Sequence, residues 1–103
     1  MMNKCCKKNS KKLKELQEIK NSFDVLNDIN RLRILCLLRE NNKICVCEIY
    51  EALNLPQNLV SYHLGKLRDA GFVEFQKDGA KVIYRLGAKK ITNFLSLIKI
   101  LFN

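Results

Sequence analysis

The chain has 103 residues, of which 48% are hydrophobic and 28% charged, and its 19 Lys and Arg against ten Asp and Glu give a net charge of +9. This is ordinary globular composition, which excludes a disordered or fibrous chain and predicts one small domain with a modest core. The basic charge predicts a polyanionic partner, either nucleic acid or an anionic membrane surface. No stretch approaches the roughly 18 apolar residues of a membrane span, and the start lacks the apolar run of a secretory signal, so we expect a cytoplasmic protein.

The first ten residues are polar and without periodicity, and residues 1–20 hold seven Lys against two Glu. We therefore predict a flexible basic arm over 1–10, which contains the adjacent thiols Cys5 and Cys6, followed by a single folded domain over 11–103. The alternative for the arm is a solvated tail whose thiols are incidental.

Apolar residues recur at three- and four-residue steps along most of the remaining chain. This spacing predicts five helices, at about 11–27, 30–40, 48–53, 57–70 and 88–102. Pro56 suits the start of the fourth helix and Gly71 its end. The second helix is so apolar that we expect it to be buried, with Cys36 as a core side chain; Asp28 or Asn30 can cap it.

Two β-prone runs, 72–77 and 81–86, flank Asp78-Gly79-Ala80, a typical hairpin turn. The order of elements predicts a mainly α fold with a β-hairpin wing, the winged helix-turn-helix. The first and last helices carry apolar stripes that we expect a homodimer to bury, although the stripes could instead pack on the domain's own core.

In this fold the second helix of the helix-turn-helix enters the major groove of DNA. We expect its polar side chains to meet base edges, namely Gln57, Asn58, Ser61 and Tyr62. Phosphate contacts are expected from Lys66, Arg68, Lys77 and Lys81. His63 is assigned to the DNA-proximal surface, with a hydrogen-bonded packing role as the alternative. The predicted partner is double-stranded operator DNA and not a membrane.

Cys45 and Cys47 lie directly before the third helix. Because they are two residues apart, their side chains lie on the same side only where the segment is extended. The pair can therefore chelate an ion if the helix starts at or after it. The helix start and Lys43 would favour thiolate. An odd total of five cysteines argues against a disulfide framework and for metal or redox chemistry. The alternative interpretation is that Cys45 and Cys47 serve only as two small apolar residues at the start of a helix.

The motifs Cys45-Val46-Cys47 and Ser61-Tyr62-His63-Leu64, together with the stretches 67–73 and 84–86, resemble the ArsR/SmtB metalloregulators. The resemblance runs from about residue 22 to 95. It implies a homodimeric winged-helix repressor that releases its operator when a metal or metalloid binds.

The resemblance also implies a ligand set. Cys45 and Cys47 match the thiols of the site on the first helix of the DNA-binding motif, but Tyr50 stands where some members have a third cysteine. Cys5 and Cys6 would complete the site, from the partner subunit's arm. The zinc-type site of the last helix is expected to be absent, because residues 87–94 contain no carboxylate or imidazole.

Three or four thiolates suit soft ions and exclude Mg or Ca, so we expect As(III) slightly ahead of Cd(II) or Pb(II), with Zn(II) less favoured. A thiol redox or persulfide switch on the same scaffold stays open, as does a winged-helix module without ligand sensing. An enzyme is the least supported class, because the chain has no Gly-rich phosphate loop and no set of catalytic partners.

Overall fold

The computed structural model describes residues 10–103, and in this part of the chain it confirms the predicted winged helix-turn-helix. The elements are α1 (Lys11–Leu26), α2 (Ile29–Asn41), β1 (Ile44–Cys45), α3 (Val46–Leu53), α4 (Gln57–Asp69), β2 (Val73–Asp78), β3 (Lys81–Leu86) and α5 (Ala88–Phe102). The predicted bounds differ from these by at most two residues, and β1 was not predicted. Residues 1–9, which include Cys5 and Cys6, lie outside the described residues.

Local chemistry explains where the helices begin and end. The Ser10 hydroxyl accepts a hydrogen bond from the Leu13 N–H at 3.0 Å and caps α1. The Asp28 carboxylate does the same for α2, accepting from the Asn30 N–H at 2.8 Å. Gly71, at φ 85°, ends the turn after α4 in a conformation that side-chain-bearing residues rarely adopt.

The short strand β1 pairs antiparallel with β3 and makes a three-stranded sheet in the order β1-β3-β2. Its register sets Ile44 opposite Tyr84 and Cys45 opposite Ile83. Two residues are too few for an alternating pattern, which is why the sequence did not predict it. The pairing ties the segment before α3 directly to the wing.

The wing itself is the hairpin of β2 and β3, closed at Asp78 and Lys81 with Gly79 at φ 63°. Of the six residues of β2, only Val73 is buried. The hairpin therefore projects from the domain with most of its side chains exposed.

The core lies where α2, α3 and α4 meet the base of the sheet. Its side chains that are less than 2% exposed are Phe72, Ile34, Leu38, Ile49, Leu64, Leu67, Val60 and Val73. The expectation that α2 is buried all round was wrong, because only Ile34 and Leu38 are buried on it and Leu32 is 46% exposed. Cys36 is likewise exposed rather than a core side chain, and its Sγ lies 3.8 Å from a Glu40 carboxylate oxygen.

Helices α1 and α5 pack against each other on one side, where the rings of Phe23 and Phe94 meet edge to face with centroids 5.5 Å apart. Their other sides leave large apolar side chains exposed, among them Leu95 at 59% and Phe102 at 81%. The expected dimer contact through these helices remains a prediction. None of the helices within residues 10–103 combines the length and apolar character needed to cross a bilayer.

We expect the substitution Gly87→Ala to destabilise the fold. A Cβ at this position would overlap the carbonyl oxygen of Gly71, which is backbone and cannot rotate away. The free energy of unfolding should fall by about 1–3 kcal/mol, the usual cost of overpacking. Urea unfolding followed by circular dichroism measures it.

The matched control is Gly65→Ala, because a Cβ there would meet only a side-chain nitrogen of Arg68 at 4.0 Å. Alanine also favours the helical conformation, so this variant should be at least as stable as wild type. Equal stability of Gly87→Ala and wild type would contradict the described packing.

Candidate thiol site and DNA-binding surface

The thiols of Cys45 and Cys47 lie together at the amino end of α3, with their Sγ atoms 2.7 Å apart. Cys45 is the N-cap residue, held extended at φ −67° and ψ 143° by its pairing with β3, and Cys47 lies in the first helical turn. The helix thus begins at Val46, between the two cysteines, and not at or after the pair as expected. The sulfurs still meet because the residue that caps the helix keeps its extended conformation.

Glu48 helps to cap the start of α3. Its carboxylate accepts a hydrogen bond from the Cys45 backbone N–H at 3.2 Å, in the position of the acidic residue of a capping box. Sequence reasoning did not single out Glu48, although the spacing Cys-x-x-Glu was a usable signal. The consequence is a negative charge held beside the thiol pair.

The two thiols differ in exposure and in proton affinity. Cys45 is buried at 5% exposure, whereas Cys47 is exposed. The hydrogen bond between the two sulfurs lowers the pKa of Cys45, helped by the positive charge of Lys81. The same hydrogen bond raises the pKa of Cys47, as do desolvation and the charges of Cys45 and Glu48. Cys45 therefore loses its proton more readily than Cys47, so the expected thiolate character is favoured at Cys45 and disfavoured at Cys47.

By themselves, these two sulfurs do not make up a complete ion site. Within residues 10–103, no group of three or more His, Cys, Asp and Glu side chains is arranged to hold a metal ion. Tyr50, at the position where the resembled site has a third cysteine, instead shares a hydrogen bond of 2.9 Å with the Ser61 hydroxyl on α4. Two adjacent thiols are donors that fit a thiophilic ion, and further ligands would have to come from elsewhere.

The predicted base-reading residues all lie exposed on α4. They are Gln57, Asn58, Ser61 and Tyr62. Tyr62 is 55% exposed and has two cations near its ring, the Arg31 guanidinium 5.8 Å and the Lys66 ammonium 5.6 Å from the centroid. This face of the helix is free to meet DNA.

The predicted phosphate-binding side chains are also exposed, two on α4 and two at the tip of the wing. They are Lys66, Arg68, Lys77 and Lys81. The Arg68 guanidinium lies 5.3 Å from the centroid of the Phe75 ring on β2, so it occupies the space between α4 and the wing. Their contact with phosphates remains a prediction.

His63 is in the interior, so its assignment to the DNA-proximal surface was wrong. It is only 4% exposed, and its Nδ1 accepts a hydrogen bond of 3.0 Å from the Nε of Arg31. It belongs to the same helical face as Val60 and Leu67, and that spacing of three and four residues was the signal for burial. Arg31 itself was missed because nothing local in the sequence relates it to α4.

Comparison with known proteins identifies this architecture. A family model described as bacterial regulatory protein, arsR family, matches residues 28–74. The uncharacterized HTH-type transcriptional regulator MJ1325 of Methanocaldococcus jannaschii is 37% identical over 76 residues, which are 74% of this chain and 85% of that protein. The chain belongs to the ArsR family of transcriptional regulators.

Other relatives carry names that refer to resistance to arsenicals or to cadmium. The arsenical resistance operon repressor of Bacillus subtilis is 32% identical over 79% of this chain and 77% of its own length. The cadmium resistance regulatory protein CadC of Listeria innocua is 36% identical over 73% of this chain, which spans only 63% of that protein. Among solved structures, HlyU from Vibrio cholerae superposes with a TM-score of 0.71 at 29% identity, covering 86% of this chain and 96% of that one.

Membership of the ArsR family means that the chain is a DNA-binding transcriptional regulator and not an enzyme. The winged helix-turn-helix described above is therefore a DNA-binding unit. The relatives' names refer to different ions, so the family by itself assigns no ligand to the thiol pair of this chain.

Proposed function

We propose that this ArsR-family chain represses transcription as a homodimer bound to operator DNA and dissociates when a thiophilic ion is captured by Cys45 and Cys47. The observation that carries the proposal is the contact between these two sulfurs at the start of the first helix of the DNA-binding motif. Cys5 and Cys6 of the partner subunit's arm would supply the remaining thiolates. Relatives named for arsenical and cadmium resistance support this function.

The donor set decides which ions are suitable. Thiolates select soft ions, and the only imidazole of the chain, His63, is buried and already hydrogen-bonded. A site of sulfur alone favours As(III) with three ligands, followed by Cd(II) or Pb(II) with four, over Zn(II). Hard ions such as Mg or Ca would be rejected, because they require oxygen ligands. A bound ion would supply bonds that join Cys45 and Cys47 to the thiolates that complete the site.

Two connections lead from the thiol pair and its helix to the DNA-binding surface. Cys45 is paired with Ile83 in the wing strand, and Tyr50 on α3 is hydrogen-bonded to Ser61 on α4. Glu48 fixes the start of α3 through the Cys45 N–H. A change in the positions of the thiols would thus alter the wing and the groove-inserting helix together, with a coupling free energy of about 1–3 kcal/mol.

The homodimer follows from the apolar surface left by one chain. Phe23 on α1 and Leu95, Leu101 and Phe102 on α5 are between 47% and 81% exposed. A second copy related by a twofold axis would cover them, and the same axis would present two α4 helices to successive major grooves of an operator with two half-sites.

The affinity for Cd(II) should rise with pH across the neutral range. The raised pKa of Cys47 means that its thiol still carries a proton there, and this proton must leave when the ion binds. Release of one proton strengthens binding by about tenfold per pH unit, with further contributions from any other protonated ligand. Competition with a chromophoric chelator between pH 6 and 8 measures this, after correction for the chelator's own protonation.

Cys47→Ser serves as the control, since its pH dependence should be shallower by one proton. An affinity for Cd(II) that does not vary with pH in wild type would contradict the assigned proton.

A second candidate function is a thiol redox or persulfide switch on the same scaffold. The lowered pKa of Cys45 and its contact with the Cys47 thiol favour it, because thiolates oxidise more readily than thiols. The burial of Cys45 disfavours it. In this case a reversible mixed disulfide, and not an ion, would control DNA release.

Native mass spectrometry of the reduced protein with As(III), Cd(II), Pb(II) and Zn(II) in competition tests the proposed function. We expect a dimer that takes up one ion per thiol site, with As(III) or Cd(II) preferred. Cys36→Ser is the matched control, since it removes an exposed thiol outside the site and should leave the uptake unchanged. Equal uptake by a Cys45→Ser, Cys47→Ser variant would overturn the ion assignment.

A further inference from the structure

A partly buried junction connects the groove-inserting helix α4 to the end of α1 and the start of α2. Arg31, in the first turn of α2, donates from Nε to the Nδ1 of His63 on α4 at 3.0 Å. Its Nη1 donates to the carbonyl oxygen of Val25 in the last turn of α1, also at 3.0 Å. One guanidinium therefore holds three helices in a fixed arrangement.

The junction also fixes the state of the His63 ring. An arginine Nε always carries a hydrogen, so the Nδ1 of His63 must act as the acceptor and the ring proton is assigned to Nε2. Nε2 lies 3.8 Å from the Asp28 carboxylate, which in turn caps α2 through the Asn30 and Arg31 N–H groups. The ring is thus hydrogen-bonded to Arg31 on one side and lies near the Asp28 carboxylate on the other.

Arg31 acts at the surface as well as in the interior. Its guanidinium lies 5.8 Å from the centroid of the Tyr62 ring, the residue next to His63 and one of the predicted base readers. Lys66 flanks the same ring at 5.6 Å. The partly buried hydrogen bond and the exposed ring contact hold two successive residues of α4, which together define the rotation of this helix about its axis.

We propose that Arg31 is a positioning residue for sequence recognition: through His63 and Tyr62 it sets the rotation of α4 and so aims its polar side chains at the base edges. The inference rests on the proposed role of α4 in reading the operator and is independent of ion binding. It requires an arginine, because two N–H donors held in one plane serve His63 and Val25 at once, which the single ammonium of a lysine cannot reproduce.

The competing role for Arg31 is a phosphate contact through its charge. The two roles predict different outcomes for Arg31→Lys, which keeps the charge and removes the planar pair of donors. A phosphate contact survives this change, whereas a positioning contact does not. A phosphate contact also contributes equally to operator and to random DNA, whereas a positioning contact contributes to the operator alone.

The test compares wild type, Arg31→Lys, His63→Leu and His63→Asn on two duplexes, one selected by wild type from a random-sequence pool and one scrambled. Leucine removes the acceptor for Arg31, while asparagine keeps an acceptor oxygen near the position of Nδ1. Arg39→Lys is the matched control, on the same helix and exposed. Dissociation constants are measured by fluorescence anisotropy at several salt concentrations, and thermal unfolding of each variant is followed by circular dichroism.

We expect Arg31→Lys and His63→Leu to bind the selected duplex about tenfold more weakly, the scale of one lost base contact, with scrambled DNA bound as by wild type. His63→Asn should keep most of the preference for the selected duplex over the scrambled one, and Arg39→Lys should keep all of it. The slope of log affinity against log salt should not change in any variant. The proposal would be overturned if Arg31→Lys and His63→Leu lost affinity equally for both duplexes, or if both variants preferred the selected duplex as strongly as wild type does. Failure of wild type to select any duplex would contradict the proposed function as well.

Discussion

Replacing Cys45 and Cys47 together with serine is expected to abolish ion-driven release from the operator while preserving operator binding. Serine is close in size to cysteine and can occupy the same helix start, since a hydroxyl is itself a good N-cap group. Its oxygen is not a thiolate, so a soft ion loses the two ligands that lie next to the wing strand. In wild type, saturating As(III) or Cd(II) should weaken operator binding by about 5- to 150-fold, and in the double variant this factor should fall to one.

The double variant is compared with Cys36→Ser, whose exposed thiol lies on α2 and outside the site. Electrophoretic mobility shift with and without the ion reports both operator affinity and release. Release of the double variant at the same ion concentration as wild type would remove Cys45 and Cys47 from the sensing role.

Neutralising the tip of the wing should weaken DNA binding strongly and without regard to sequence. In the variant with Lys77→Gln and Lys81→Gln, a dimer loses four charges from an exposed hairpin. If each contacts a phosphate, the slope of log affinity against log salt becomes shallower by about 3 to 4. Affinity at about 0.2 M salt should fall by about a hundredfold, for operator and random duplexes alike.

The control for the wing variant is a chain with Lys20→Gln and Lys99→Gln. It removes the same charge from α1 and α5, and should change the salt slope little because counterion release depends on contact and not on net charge. Equal slopes for the two variants would show that the wing acts through its charge at a distance and does not contact phosphates.

Much of the fold was predictable because periodicity and turn chemistry are local. The helix starts at Ser10, Asp28 and Pro56 use side chains or backbone angles that sequence alone reveals. The hairpin at Gly79 is equally local, since its turn needs a residue that tolerates positive φ.

The errors concern residues whose surroundings depend on distant elements. The apolar sequence of α2 suggested burial on all sides, but only one face meets α3 and α4, so Cys36 is exposed. His63 is polar yet buried, because Arg31, 32 residues earlier, supplies its hydrogen bond. The strand β1 exists only through its pairing with β3. In each of these three cases, the local sequence gives no sign of the distant element that determines the surroundings.

The candidate thiol site likewise combines features that the local sequence determines with features that depend on the fold. The spacing of Cys45 and Cys47 was enough to predict a chelating pair, and the structure brings their sulfurs together. The opposite directions of their pKa shifts come first from the hydrogen bond between the two sulfurs, with smaller contributions from the charges of Lys81 and Glu48, whose positions depend on the wing and on the helix start. Local spacing therefore predicted that the two thiols lie together, whereas their electrostatics required the fold.

The most direct test of ion-controlled DNA release is a titration of the wild-type protein, bound to fluorescent operator, with Cd(II) while anisotropy and thiolate-to-metal absorbance are recorded in the same cuvette. We expect both signals to change together and to end at one ion per thiol site. Absorbance that reaches its end point while the operator remains fully bound would show that ion capture and DNA release are separate events, and would contradict the proposed function.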